Sequence, residues 1–130
     1  MRNLKYLLTL AAVLAGISVL VLAADAAPAK ITGEIIDSSC YIKMGAKGSG
    51  HADCATTCAK AGIPLALLED GTNKVVWLAA NKDAMCVNDQ LMSYIAKKVT
   101  LTGKWSERGG AKLFSIDKIE PAAGKPAASD

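Results

Sequence analysis

The sequence predicts an all-β protein with one or two short helices: five strands closed into a Greek-key barrel, with a long insertion after the first strand. Three observations carry that expectation. Five apolar, strand-like runs are punctuated by Gly, Asn and Asp turn signals. One segment, 81–96, changes its apolar period from two to about three or four. The stretch 38–62 interrupts the series and holds three of the four cysteines and the sole histidine.

Each element has a local reason. Lys30 to Asp37 carries Ile31, Ile35 and Ile36, with Gly33 as a bend or bulge. Ile63 to Glu69 and Lys74 to Ala80 flank the turn Asp70-Gly71-Thr72-Asn73 and read as a hairpin. In Asn81 to Ala96, Met85, Leu91, Met92 and Ile95 are spaced for a helix, and Cys86 is read as a buried, inert thiol at its start. Lys98 to Trp105 alternates apolar and polar residues, Ser106 to Gly110 turns, and Lys112 to Glu120 is the last strand. The expected core is Ile35, Leu65, Leu67, Val76, Leu78, Val99, Leu101, Leu113 and Ile116, with the insertion as a separate lobe outside the barrel. Trp77, Trp105 and Phe114 are read as further core or as a carbohydrate platform. This order of elements resembles the oligonucleotide/oligosaccharide-binding (OB) fold over 30–120, where the loops after strands one and four commonly carry the ligand.

Arg2 and Lys5 precede an uncharged run from Tyr6 to Ala24 that closes on Ala24-Asp25-Ala26. A basic start, an apolar middle and small residues at alternate closing positions make a secretory signal peptide over 1–26. A retained anchor is the alternative, since the run approaches the ~20 residues that span a bilayer. The remaining organisation is an OB-like domain over 27–120, with its insertion at 38–62, and a flexible Pro/Ala tail over 121–130. The whole chain has a net charge of +3, and loss of Arg2, Lys5 and Asp25 leaves it barely positive. Nothing in that balance recruits nucleic acid, or a membrane after cleavage. The expected location is periplasmic or secreted, an oxidising setting in which thiols persist when they are paired or ligated.

The chemistry lies in the insertion. His51, Cys54 and Cys58 are spaced i, i+3, i+7 and share one face of a helix that Ser49 can cap and Gly62 can end. Cys40, at the end of the first strand, can return against that face as a fourth position. One imidazole and three thiolates form a soft ligand set for zinc or cuprous copper. Met44 could add a thioether, whereas Met85 and Met92 fit one apolar helix face. The Cys-x-x-x-Cys pair with a histidine elsewhere also resembles the ligands of Sco-type copper chaperones, although their thioredoxin fold differs from the strand order here.

Gly33, Asp37, Cys40, His51, Cys54-Ala55, Cys58 and Gly62-Ile63-Pro64 resemble the pattern of small exported bacterial OB-fold proteins of unassigned function. That pattern reads DxxC, then HxxCA and a further Cys, then GIP, with one more residue here between the two later cysteines. The resemblance implies a periplasmic binding or accessory protein. Metal delivery, or service to a periplasmic redox or respiratory protein, is the leading reading. The alternatives are a disulfide-stapled OB module that binds a protein or sugar, or a thiol-redox protein. Four cysteines allow three disulfide connectivities, and a Cys40 link to Cys54 or Cys58 would contribute roughly 3 kcal/mol. No catalytic constellation emerges: Ser38-Ser39 beside Asp37 lacks a general base, since His51 is the sole imidazole and has closer cysteine company, and no phosphate-binding glycine loop is present. The reading therefore leans away from an enzyme.

Overall fold

A computed structural model describes residues 27–122. The signal peptide expected over 1–26 and positions 123–130 of the expected tail lie outside those residues. Isoleucines at 31, 35 and 36 and Thr32 give β1 (Ala29–Asp37) the branched side chains that suit an extended backbone. β2 (Leu65–Glu69) and β3 (Val75–Ala80) form the expected hairpin. The remaining strands are β4 (Lys98–Arg108) and β5 (Ala111–Pro121), both longer than anticipated. Pro121 therefore belongs to a strand, opposite Val99, and not to a tail.

The five strands close into a barrel in the order β1-β2-β3-β5-β4. All neighbours are antiparallel except β3 and β5, which run parallel with Leu78 opposite Phe114. β1 closes the barrel by changing partners along its length. Ala29 to Glu34 pair with β4, and Gly33 to Asp37 pair with β2. Gly33, at the changeover, has no room for a side chain, because a Cβ there would collide with the backbone carbonyl of Leu68. Gly103 is in the same position against the carbonyl of Ser115, beside a register shift in β4–β5.

Three short α-helices decorate the barrel: α1 (Ser38–Met44), α2 (Ala52–Lys60) and α3 (Val87–Leu91). Single 3₁₀ turns at Ser49–His51 and Met92–Tyr94 adjoin α2 and α3. The helix expected over 81–96 starts only at Val87. Ala84 has φ +58°, a left-handed conformation that a helix cannot contain, and Cys86 is extended. Cys86 is consequently exposed, and so is Met85, while Met92 packs against the core.

Seven of the expected core residues are buried, namely Ile35, Leu65, Leu67, Val76, Val99, Leu101 and Ile116, and Leu78 packs on them half-buried. Leu113 faces out, because strand alternation turns its neighbour Phe114 fully inward. Trp77 and Trp105 are partly exposed and do not belong to the core. The insertion is no separate lobe. Ala55 and Ala59 of α2 are buried in the same apolar cluster as Ile35, Leu65, Leu91 and Ile95. On the outer face, Tyr41 of α1 covers Ile36, Ala66 and Leu68.

Two outcomes are expected from this packing. Gly33→Ala should lower stability by about 1–3 kcal/mol through overpacking, whereas Gly50→Ala, with open space around it, should leave the denaturation midpoint nearly unchanged. Replacing 44–60 by a short Gly/Ser linker should cause a large loss of cooperative stability, read by circular dichroism during urea unfolding, because it strips Ala55 and Ala59 from the core.

Candidate metal centre

Asp37 is the last residue of β1 and the N-cap of α1. Its Oδ1 accepts the backbone N–H groups of Ser39 at 2.8 Å and Cys40 at 3.0 Å, which fixes the first turn of the helix and the position of Cys40. Ser38 anchors the same junction by donating its hydroxyl to the carbonyl of Pro64 at 2.7 Å. α1 ends at Gly45, whose φ of +71° lets its N–H turn back to the carbonyl of Tyr41. The following loop returns to β1, where the N–H of Gly48 donates to the Glu34 carboxylate.

His51 occupies the N-cap of α2, and Cys54 and Cys58 follow on the same helix face. Ala55 and Ala59 lie about a quarter turn round the axis, so their burial against the barrel turns the Cys/His face sideways, toward α1. Gly62, with φ +95°, ends the segment as expected. Ser49 does not cap with its side chain. A buried side chain from α3 locks α2 in place: Asn88 accepts the N–H of Leu65 at 2.9 Å and donates to the carbonyls of Ala59 at 3.1 Å and Ile63 at 2.8 Å.

These supports bring together all four expected ligands and a fifth. The ligand atoms of Cys40, His51 and Cys54 lie within 4.8 Å of one another, as do those of Asp37, Cys40 and Cys58. Cys40 belongs to both sets. Cys54 is exposed, Cys40, His51 and Cys58 are half-buried, and Asp37 is only 1% exposed. All four cysteines are free thiols, and Cys86 stands outside the cluster. Met44 is 69% exposed.

Two buried polar atoms here lack a well-formed hydrogen bond: Asp37 Oδ2 and His51 Nε2. A cavity of about 10 Å³ lined by Asp37, Gly48, His51 and Ala55, among others, has room for a single water at most. Burial disfavours the Asp37 carboxylate, yet the Cys40 N–H, the Cys58 and Cys40 thiols and the Ser39 N–H together outweigh it and hold the pKa below its ordinary value. The same contact works in reverse on the thiols. Asp37, helped by desolvation, pushes Cys58 up to about 12 and raises Cys40. Without metal these thiols keep their protons, and an entering ion would displace them. The arrangement is thus able to hold a metal ion, and its donors are mainly soft.

Sequence reasoning found His51, Cys54 and Cys58 from helical spacing and Cys40 from the end of the first strand. It placed Asp37 only as a position of the resembled motif and not as a ligand, and missed Asn88. Asp37 had a usable signal, an aspartate just before a short helical run, which marks an N-cap. Asn88 had none, since its partners lie 23 to 29 residues away. Comparison with protein-family models, curated proteins and solved structures gives no significant match to this chain.

Asn88→Leu should therefore destabilise the fold by roughly 1–3 kcal/mol for each backbone group left unpaired. Metal affinity should fall with it, checked by urea unfolding and zinc titration of the same variant. Asn88→Asp, which keeps the acceptor for Leu65 N–H but sets a buried carboxylate oxygen against the carbonyls of Ala59 and Ile63, should destabilise at least as strongly.

Proposed function

We propose that this protein is an exported metal-binding module, holding zinc or cuprous copper through Cys40, His51, Cys54 and Cys58, and serving in metal delivery or as an accessory to a periplasmic redox or respiratory enzyme. The convergence of two ligand triads on Cys40 carries this reading. Support also comes from how the ligands are held. Cys40 and His51 stand at helix starts fixed by a side-chain cap and a packed seat, a preorganisation that favours ligation over adventitious capture. The exposed thiol of Cys54 gives the cluster one accessible side, as transfer of an ion to a partner requires. We read the barrel as OB-like, on the basis of its strand order and the parallel β3–β5 pair. The expected export rests on the basic and apolar pattern of 1–26.

A second reading is favoured by a separate surface. Trp77 and Trp105 line a groove of about 310 Å³ with Val76, Lys74 and Lys112, and the Lys112 Nζ lies 4.4 Å from the Trp105 ring centre. Aromatic faces beside cations suit a sugar or a peptide. In that reading the cysteines serve only to staple the insertion.

Native mass spectrometry of the protein from its expressing cell separates the two. Bound zinc or copper, lost in Cys40→Ser, weakened in His51→Ala and retained in Cys86→Ser, is the expected result. A metal-free chain with the mass deficit of two disulfides would overturn the metal reading.

A further inference from the structure

We infer that the cluster is a two-zinc centre in which the Cys40 thiolate bridges both ions: one held by Cys40, His51 and Cys54, the other by Asp37, Cys40 and Cys58. This inference rests on the metal-binding reading and goes beyond it by fixing the ion, the number of ions and a fifth ligand.

Geometry divides the ligands. Each triad gathers its donor atoms within 4.8 Å, and the two meet only in Cys40. Two sulfurs on one tetrahedral zinc lie about 3.8 Å apart, so each triad needs only a small contraction to close on an ion. Cys54 and Cys58 do not share a triad. A thiolate has lone pairs enough to serve two ions, and Cys40, in the first turn of α1, is the sulfur both triads contain.

Asp37 supplies the independent observation. Its side chain is 1% exposed, Oδ1 is committed to two backbone N–H groups, and Oδ2 is buried with no well-formed hydrogen bond. The donors beside this buried carboxylate are the thiols of Cys40 and Cys58, which are weak partners for an anionic oxygen. A metal at the Cys40–Cys58 side would satisfy it, while the N–H bonds to Oδ1 aim the carboxylate as outer hydrogen bonds do for ligands generally.

Charge and softness then choose the ion. Three thiolates and one carboxylate carry four negative charges, which two divalent ions balance and one leaves half uncompensated in a partly buried site. Cuprous copper brings half that charge per ion and favours sulfur and imidazole over carboxylate. Zinc accepts sulfur, nitrogen and oxygen together. Each ion has three protein ligands and a fourth position for water or for a donor from a partner. The ion at exposed Cys54 is the one open to exchange.

The test is zinc stoichiometry by native mass spectrometry on the purified, reduced protein, titrated with zinc alone in the absence of oxygen. The wild type is expected to bind two zinc ions. Cys54→Ser and Cys58→Ser should each bind one, and Cys40→Ser neither. Asp37→Asn, which keeps the cap acceptor but removes the charge, should bind one, and Cys58→Ser tests the same ion if that variant fails to fold. Saturation at one zinc, lost alike in Cys54→Ser and Cys58→Ser, would overturn the bridged pair and leave a single four-ligand centre. Two zinc ions retained in Cys40→Ser would overturn it as well, by placing an ion elsewhere. No zinc bound by the wild type would overturn both this inference and the metal-binding reading.

Discussion

Where β1 gives way to α1, the Asp37 carboxylate accepts two backbone N–H groups with one oxygen and lies beside the thiols of Cys40 and Cys58. Barrel, helix and cluster all pass through this contact. Asp37 pairs with Leu65 in the β1–β2 ladder, so the barrel fixes its backbone. The cap then fixes the direction of α1, and the direction of α1 sets where the Cys40 sulfur stands. A buried carboxylate is tolerated there because hydrogen bonds outweigh the loss of water, and the thiols bear the consequence in their raised pKa values.

The second half of the site depends on a different kind of force. α2 is too short to persist alone in water, and it is held by packing and by Asn88. Alanines at 55 and 59 let its backbone approach the barrel closely, and Asn88 adds a side-chain bond to the carbonyl of Ala59, which also accepts the N–H of Gly62 at the helix end. A helix seated by small side chains has its rotation about its own axis decided by those side chains. That rotation brings His51, Cys54 and Cys58 round to Cys40 and leaves Asp53, Thr57 and Lys60 in solvent. The insertion therefore helps to close the barrel and presents the donors with the same residues.

Away from the cluster the surface is uneven. Trp77, Trp105 and Leu113 leave apolar area on the barrel, and Ile42 and Met44 leave more on α1. Trp105 is steadied by an edge-on contact with Phe114, with ring centres 5.0 Å apart, and by Lys112 over its ring. Exposed aromatic side chains on a small barrel are a common signature of contact with another molecule. Trp77 also lines a groove with Ser38, Ser39 and Ile42, so this apolar surface reaches the helix that carries Cys40.

Much of this molecule was legible in its residues. Alternating apolar runs and turn signals marked all five strands and their order, because pleat and turn chemistry are local. The spacing of His51, Cys54 and Cys58 announced one helix face, since helical geometry is also local. What residues near in sequence could not decide was which face of α2 would be buried. The answer came from the packing of Ala55 and Ala59 against Ile35, Leu65, Leu91 and Ile95, which come together only once the barrel closes. The extended Cys86 and the left-handed Ala84 likewise broke a helix whose apolar spacing was sound. Asp37 and Asn88 gained their roles from partners across the fold: the thiol of Cys58, and backbone groups 23 to 29 residues away. The sequence by itself determined the strands and the donor types. Tertiary structure alone decided which donors meet, because the contacts that orient them join segments that only the closed barrel holds together.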